Sequence, residues 1–436
     1  MSMNASLSTQ AKIEYLRTLP AIRERCGRVH DLAKQGKLEY FEYHPGKEED
    51  AADYCLKIMQ RDFKDVSLIP PHGRWRHLDA GVSRVEPLLK QWDASPSPPD
   101  VKEKTKRLLD LFLVSVLLDA GAGGDWTYQD ASSKQTFSRS EGLGVASFNM
   151  FAEGFFSGDA QQPYRVDASG LANVTAVQTG ELMQVSAANP MVGLDGRASL
   201  LVNLSKALKQ SPEFFGAEGR PGNMIDFLEG ESKMEGDVRL VPIAALWHVL
   251  ISGLAPIWPT DRTSLAGVPL GDVWPCEALK TTSAEEWEAL VPFHKLTGWT
   301  TYSLVEPLEK ILGWKFDGKE FLTGLPEYRN GGLLLDIGVL SLKQSALPTT
   351  ALSAPSSIPQ LPPSHPAIIE WRAMTVIELD RIADLIRQKL DLTAEQLTLA
   401  QVLESATWKG GREIAKEKRP GSGGPPINIL SDGTVF

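Results

Sequence analysis

The chain has 436 residues, of which 42% are hydrophobic and 23% are charged, and its formal net charge is -10. This composition is typical of a globular protein with ample material for a core. The negative net charge argues against binding to nucleic acid, because contact with its phosphates requires clustered Lys and Arg. The three cysteines are odd in number and form no C-x-x-C pair, which argues against a disulfide framework or a zinc ribbon.

The N-terminal segment, residues 1–10, is polar and lacks the apolar region of a signal peptide. The most apolar stretches, residues 108–122 and 238–258, are too short or too interrupted to span a bilayer. We therefore expect a cytoplasmic protein that binds neither membrane nor nucleic acid.

Helical spacing of apolar residues is the main structural signal. It predicts helices over residues 9–35, 100–120, 195–215 and 224–254, the second ending at the glycine-rich segment 121–124. Ser283 before Glu286 and Thr393 before Gln396 are capping-box patterns that mark the start of further helices. Strand signals are weak and are confined to residues 173–182 and the C-terminus. The sequence thus predicts a mainly α fold with minor strands.

Two segments bear on domain organisation. Residues 344–366 are rich in Pro, Ser and Thr, which indicates a loop. The tail from Arg419 is rich in Gly and Pro but ends in apolar residues, so we expect it to dock. We predict a mostly helical N-terminal portion over residues 1–185 and a second helical portion over residues 186–436, packed together as one compact unit.

Several charged residues are candidates for a site. Residues 74–77 (Arg-Trp-Arg-His) bring two cations together with an indole and an imidazole, a set that suits a phosphate, a planar group or a structural patch. Asp336 lies in an apolar run, so its carboxylate should be paired or should cap a helix. Taken alone, Lys295 and Glu327 read as ordinary surface charges. No H-E-x-x-H or similar motif occurs, so we expect neither metal nor cofactor.

Six segments carry a resemblance to a known family. The chain resembles the fungal and bacterial uracil-catabolism family of the Urc4/Urg3 type (DUF1688) at residues 74–77, 118–123, 139–143, 327–332, 370–372 and 431–436. The resemblance implies a role in a route that uses uracil as a nitrogen source. A ring-opened ribosyl-urea intermediate is expected there, from which urea is released.

A second, more distant similarity bears on mechanism. Residues 292–295 (Pro-Phe-His-Lys) and the stretch from Pro326 to Leu340 resemble segments of the queuosine-nucleotide N-glycosidase family, whose fold is like the helical DNA glycosylases. The chain departs from that family at Glu327, where the family has Asp, and at Gly298, where it has Gln. The resemblance implies a helical DNA-glycosylase-like core with an N-terminal helical extension.

That likeness also implies roles for individual residues. Glu327 would stabilise an oxocarbenium-like sugar and take a proton from water, and Lys295 would orient it or serve the leaving group. Glu370 would accept N–H bonds from urea, although Arg372, two residues on along a helix, cannot face the same way. Candidates for a 5-phosphate are Arg329, Arg372 and Arg76, and further substrate-binding candidates are Tyr328, Asp336, His294 and His77.

Three other interpretations stay open. One is another uracil-pathway hydrolase, such as an amidohydrolase or deaminase, and these usually need a metal or an activated nucleophile. A DNA glycosylase proper conflicts with the negative net charge. A non-catalytic nucleoside-binding protein would keep the pocket without the chemistry. In each case but the second the partner is a small molecule, and the sequence leaves the oligomeric state open.

Overall fold

A computed structural model describes residues 7–258, 262–280, 285–348, 351 and 358–430 of the chain. Helices dominate the described residues, which confirms the predicted fold class. They are α1 (Thr9–Leu16), α2 (Leu19–Lys34), α3 (Glu48–Asp62), α4 (Trp75–Leu78), α5 (Val85–Asp93), α6 (Val101–Leu117), α7 (Arg139–Ala152), α8 (Ala168–Ala172), α9 (Ala176–Leu182), α10 (Leu194–Gln210), α11 (Pro212–Phe215), α12 (Met224–Gly230), α13 (Ile243–Gly253), α14 (Glu277–Lys280), α15 (Lys295–Leu312), α16 (Tyr328–Ile337), α17 (Pro366–Leu390), α18 (Leu399–Val402) and α19 (Trp408–Lys418).

The strands are short and form small separate sheets. They are β1 (Phe41–Tyr43), β2 (Thr127–Asp130), β3 (Gln135–Ser138), β4 (Lys233–Glu235), β5 (Val238–Pro242), β6 (Ser264–Leu265), β7 (Val268–Pro269), β8 (Val273–Pro275), β9 (Leu290–Pro292), β10 (Lys315–Asp317), β11 (Leu340–Leu342), β12 (Gln360–Leu361) and β13 (Asn428–Ile429). The pairs are β1–β11, β2–β3, β6–β7, β8–β9 and the parallel β12–β13, and β10–β5–β4 form a three-stranded sheet.

The chain folds into two compact units, each assembled from separate stretches of sequence. Unit 1 takes in the described residues of 1–72, 260–295 and 320–430, and unit 2 takes in those of 73–259 and 296–319. This grouping differs in kind from the predicted division between residues 185 and 186, which stays a prediction.

Unit 1 is built around the long helix α17, which packs against α2 and α3. The side chain of His365 caps its N-terminus by accepting a hydrogen bond from the Ala367 backbone N–H. Helix α16 packs against α17 and α19. At Gly331 an added Cβ would lie 2.7 Å from the Trp371 ring, so only glycine allows α16 to approach α17 this closely.

Unit 2 has α6 at its centre, in contact with α7 and α10. Asp100 caps α6 at the Glu103 backbone N–H, and the helix then carries an almost continuous apolar surface that is fully buried. This helix agrees with the prediction for residues 100–120. None of the helices within the described residues is both long enough and apolar enough to cross a membrane.

Three secondary-structure predictions were wrong in part. The helix predicted over residues 9–35 is divided into α1 and α2, because Thr18 caps a new helix that has Pro20 in its first turn. The helix predicted over residues 224–254 contains the β4–β5 hairpin, whose turn uses Gly236 at φ 61°. The strand predicted near residues 173–182 is the helix α9, capped by Thr175.

The remaining local predictions have mixed outcomes. Residues 195–215 form α10 and the short α11, which meet at Ser211. The reciprocal bonds between Thr393 and Gln396 form, but they close a turn, and the next helix starts with a second capping box at Thr398. The predicted C-terminal strand is β13. Ser283, the final residues 431–436 and residues 349–350 and 352–357 of the predicted 344–366 loop lie outside the described residues.

Candidate active site in unit 1

Asp272 is the centre of the polar arrangement in unit 1. Its buried carboxylate accepts hydrogen bonds from Nη1 and Nη2 of Arg372, both at 2.8 Å, and from Nε1 of Trp274 at 2.7 Å. The Arg372 guanidinium also lies 4.1 Å from the Phe293 ring centre, which suits a cation–π contact. A bidentate, fully buried pair of this kind fixes the position of everything attached to it.

The first attachment is the start of α15. The backbone N–H of Lys295 donates to Asp272 at 2.9 Å, so the carboxylate caps the helix N-terminus. His294 precedes it with φ at 45°, a left-handed conformation uncommon for a residue with a side chain. The buried His294 ring binds the Leu16 carbonyl at 2.8 Å, which holds this conformation in place.

The second attachment is the start of α16. Glu327 is its N-cap residue, and its two carboxylate oxygens accept the backbone N–H groups of Arg329 at 2.9 Å and Asn330 at 2.6 Å. The Glu327 side chain is therefore fixed in direction although it is only half-buried. Asn330 reinforces the turn by donating to the Leu325 carbonyl at 3.0 Å.

Arg372 connects the two attachments. Its Nε lies 3.3 Å from the carbonyl of Pro326, the residue before Glu327. Its two Nη atoms donate to Asp272, the carboxylate that accepts the Lys295 backbone N–H. The starts of α15 and α16 therefore share one buried ion pair. The backbone N–H of Lys295 and the carbonyl that precedes Glu327 thus bind the same ion pair, and joint action of the two side chains stays a prediction.

The charges of this network respond to burial in different ways. Burial alone would raise the pKa of Asp272, but the Arg372 guanidinium and the N–H donors hold it well below its ordinary value. Burial lowers the pKa of His294, so its imidazole is neutral near pH 7. The site thus combines a permanent buried ion pair with a neutral imidazole.

Tyr328 and Arg329 extend the site along α16. The buried Arg329 guanidinium lies 4.6 Å from the Trp408 ring centre and 5.4 Å from that of Tyr328. A Cβ added to Gly411 would lie 2.2 Å from the Arg329 carbonyl, so α19 packs directly against the first turn of α16. The Trp408 ring at the start of α19 therefore lies beside the Arg329 side chain.

Two other predicted residues of unit 1 bind protein groups. Glu370 accepts the backbone N–H groups of Glu39 and Tyr40, both at 3.0 Å, and burial raises its pKa to about 7. Asp336 forms a bidentate ion pair with Arg419, at 2.8 and 2.5 Å, as expected for a carboxylate in an apolar run. Both side chains hold the fold at positions separate from the Asp272–Arg372 pair.

The two predicted residues at positions 76 and 77 belong to unit 2. Both Nη atoms of Arg76 bind the carboxylate of the buried Glu306, with Nη1 to Oε1 at 2.9 Å. The His77 ring meets the Trp299 ring edge-on at 5.7 Å between ring centres. These contacts are those of a structural patch, one of the three uses considered for this segment.

Asp272 was not singled out from the sequence. It lies between Gly271 and the apolar pair Val273–Trp274, and its partner Arg372 is 100 residues further along the chain. The reasoning applied to Asp336, that a carboxylate in apolar surroundings must be paired, also applies here and would have indicated Asp272. Nothing in the local sequence indicates which cation pairs with it.

Comparison with known proteins places the chain in a family. The sequence model described as "Protein of unknown function (DUF1688)" matches residues 15–436. The chain belongs to this family. It is 42% identical over 439 residues to "Uracil catabolism protein 4" of Lachancea kluyveri, covering 97% of this chain and 99% of the relative. It is also 41% identical over 440 residues to "Protein urg3" of Schizosaccharomyces pombe, covering 99% and 100% respectively.

The family assignment confirms the resemblance found in the sequence. It covers both units, since the matched residues run through all the segments that compose them. The likeness to helical DNA glycosylases and the roles of the site residues stay predictions. Among the described residues, no group of three or more His, Cys, Asp or Glu side chains is arranged to hold a metal ion.

Proposed function

We propose that this chain hydrolyses the N-glycosidic bond of a ribosyl-urea, releasing urea and the sugar in a route of uracil catabolism. The name of the Lachancea relative supports the pathway. The observation that carries the chemistry is the carboxylate of Glu327, which two backbone N–H groups fix at the start of α16. The carbonyl of Pro326, the preceding residue, accepts from Arg372, whose partner Asp272 holds the start of α15.

Glu327 supplies the negative charge that the reaction needs. Cleavage of an N-ribosyl bond passes through a state with positive charge on the sugar, which an adjacent carboxylate stabilises. Each Glu327 oxygen accepts one backbone N–H, and each retains a further lone pair that can receive a proton from water. Because those bonds fix the carboxylate before substrate arrives, little reorganisation accompanies the reaction.

Lys295 supplies the positive charge. The urea nitrogen is a poor leaving group as an anion, so its departure needs a hydrogen-bond donor or a proton. Asp272 accepts from the backbone N–H of Lys295, and the Lys295 side chain carries the ammonium. In this proposal the ammonium orients Glu327 or donates to the departing nitrogen.

The remaining candidates divide by their contacts. Arg372 is bound to Asp272, Arg76 is bound to Glu306, and both oxygens of Glu370 accept backbone N–H groups. The proposal keeps Arg329 as the residue for a 5-phosphate because it lies in the first turn of α16, next but one to Glu327, and stacks on Trp408. Arg372 becomes a positioning residue, and Glu370 becomes a structural one.

One specific observation favours a second candidate function. Glu327 already serves as a helix cap, a structural use that would be retained in a non-catalytic nucleoside-binding protein. An amidohydrolase with a cysteine nucleophile is less favoured. All three cysteines are buried, and burial raises their thiol pKa values, for Cys55 and Cys276 to about 12, so the reactive thiolate is scarce.

The experiment incubates purified full-length protein with ribosyl-urea, with and without a 5-phosphate, and measures released urea. Hydrolysis of either compound above the protein-free rate is expected. A faster reaction with the phosphorylated compound that is lost in Arg329→Gln would assign the phosphate contact. Saturable binding without urea release would instead establish the non-catalytic alternative.

A further inference from the structure

A second polar centre lies in unit 2, where three separated segments converge. Arg74 precedes α4, Asp119 follows α6, and Ser140 is in the first turn of α7. The Arg74 Nη1 lies 2.9 Å from Asp119 Oδ2 and 3.4 Å from the Ser140 carbonyl oxygen. The proposed hydrolysis makes no use of these residues.

A directed chain of hydrogen bonds fixes the Arg74 guanidinium. Its Nε donates to Ser115 Oγ at 2.7 Å, and Ser115 lies 2.6 Å from Ser147 Oγ. Ser147 donates its own proton to the Gly144 carbonyl at 2.9 Å, so Ser115 donates to Ser147 and accepts from Arg74. The guanidinium is fully buried and cannot rotate without breaking this chain.

Asp119 is held just as firmly. The buried Arg197 guanidinium donates to the carbonyls of Leu118 and Ala120, the residues on either side of Asp119. A third bond from Arg197 reaches the Val192 carbonyl. The backbone at Asp119 is therefore fixed, and its side chain is only 10% exposed.

Each partner of the Arg74–Asp119 pair has one unused polar atom. Arg74 Nη2 and Asp119 Oδ1 are screened from solvent and find no hydrogen-bond partner in the part of the chain that the structure describes. The Arg220–Asp110 pair of the same unit differs. There, Asp110 Oδ2 accepts from Arg220 Nε and Oδ1 accepts from the Gly222 backbone, both at 2.7 Å. Unit 2 can thus satisfy both oxygens of a buried aspartate, but leaves one unused at Asp119.

We propose that Arg74 Nη2 and Asp119 Oδ1 form a binding site for a small neutral molecule that carries a carbonyl beside an N–H, as in an amide or urea group. The ligand carbonyl accepts from Arg74, and the ligand N–H donates to Asp119, so both unused atoms are satisfied together.

Charge balance selects a neutral ligand. The two unused atoms belong to one ion pair, Arg74 with Asp119, whose charges cancel. An anion or a cation would add an uncompensated charge to a buried site, whereas an amide adds none.

The first test uses the wild-type protein and calorimetric titration with acetamide, urea and uracil. All three compounds carry a carbonyl beside an N–H. Acetamide and urea fit a small site, whereas uracil binds only if the site takes a pyrimidine. N,N-dimethylacetamide lacks the N–H and acetate is charged, so neither should bind. Saturable binding by at least one of the first three, and by neither control, is expected. No saturable binding by any of them, or equal binding of dimethylacetamide, would overturn the proposal.

The second test locates the site. Asp119→Asn places an amide N–H where the ligand needs an acceptor and should weaken binding by at least about tenfold. The matched control Asp110→Asn removes the same charge from a satisfied pair and should bind as the wild type does. Glu327→Gln should also retain binding, which separates this site from the proposed hydrolysis. Unchanged affinity in Asp119→Asn would refute the assignment.

A milder variant covers the case in which Asp119→Asn does not fold. Ser115→Ala removes the acceptor of Arg74 Nε and frees the guanidinium to rotate, while the ion pair remains. We expect its melting temperature to fall by about a few degrees, because one buried N–H loses its acceptor, and its affinity for the bound amide to fall several-fold. Full affinity in this variant would contradict the assigned geometry.

Discussion

Replacing Asp272 by Asn tests the buried ion pair on which the site of unit 1 is built. The substitution keeps the size of the side chain but removes the negative charge that faces Arg372. Asp272 is 1% exposed, and its carboxylate accepts four hydrogen bonds. Two come from Arg372 nitrogens, one from the Trp274 indole and one from the Lys295 backbone N–H. The variant leaves the Arg372 cation buried without its partner.

The expected loss of stability follows from that burial. Removing one member of a buried ion pair costs about 3–5 kcal/mol, because the other charge stays desolvated. Asn retains one carbonyl oxygen as an acceptor, which places the expected loss near the lower end, about 3 kcal/mol. Adding Arg372→Met should recover part of this loss, since it removes the stranded charge.

Guanidinium chloride unfolding measures both variants against a matched control. Asp380→Asn removes the same charge from the Arg23–Asp380 pair of unit 1, whose side chains are 30% and 26% exposed, and should cost no more than about 1 kcal/mol. An Asp272→Asn loss as small as that of the control would refute the reasoning. So would a double variant that is less stable than Asp272→Asn alone.

Three further outcomes follow from contacts and pKa shifts. Burial raises the pKa of Glu370 to about 7, above the ordinary value of 4.5, so the folded state binds this proton more tightly than the unfolded state does. The free energy of unfolding should therefore fall by at most about 3 kcal/mol as the pH rises from 4.5 to 7. Glu370→Gln should lack this decline in unfolding titrations, and an unchanged decline would contradict it. Gly411→Ala places a Cβ 2.2 Å from the Arg329 carbonyl and should lower the unfolding free energy by about 1–3 kcal/mol, whereas a neutral result would show that α19 can shift. The native protein should react slowly with a thiol reagent and rapidly once unfolded, and fast native labelling would contradict the burial of Cys26, Cys55 and Cys276.

Local patterns predicted the parts of the fold that local physics controls. Helix α6 combines an Asp100 cap with an apolar surface, and both features are visible in the sequence. The β4–β5 hairpin was overlooked because apolar residues continue through it, although Gly236 before Asp237 is a turn signal. The Thr175 cap likewise outweighed the β-branched residues near it and produced α9.

The candidate site was predictable only in part. Glu327 and Lys295 came from the resemblance to known families, since a single charged residue carries no signal of its own. Asp272 depends on a partner 100 residues away, and a long-range pairing of this kind is set by tertiary packing. For the same reason the sequence could not show that Arg372 forms an ion pair with Asp272 whereas Arg329 stacks on Trp408.

The most direct measurement is the single-turnover rate of urea release from ribosyl-urea by Glu327→Gln, with the fold verified by circular dichroism. Gln keeps an oxygen for one of the two cap bonds but has no negative charge for the sugar, so the rate should fall at least about 100-fold. Thr398→Ala, which removes the cap of α18 in the same unit, is the matched control and should retain the rate. A Glu327→Gln rate within about twofold of the wild type would contradict the assignment of this carboxylate to the chemistry.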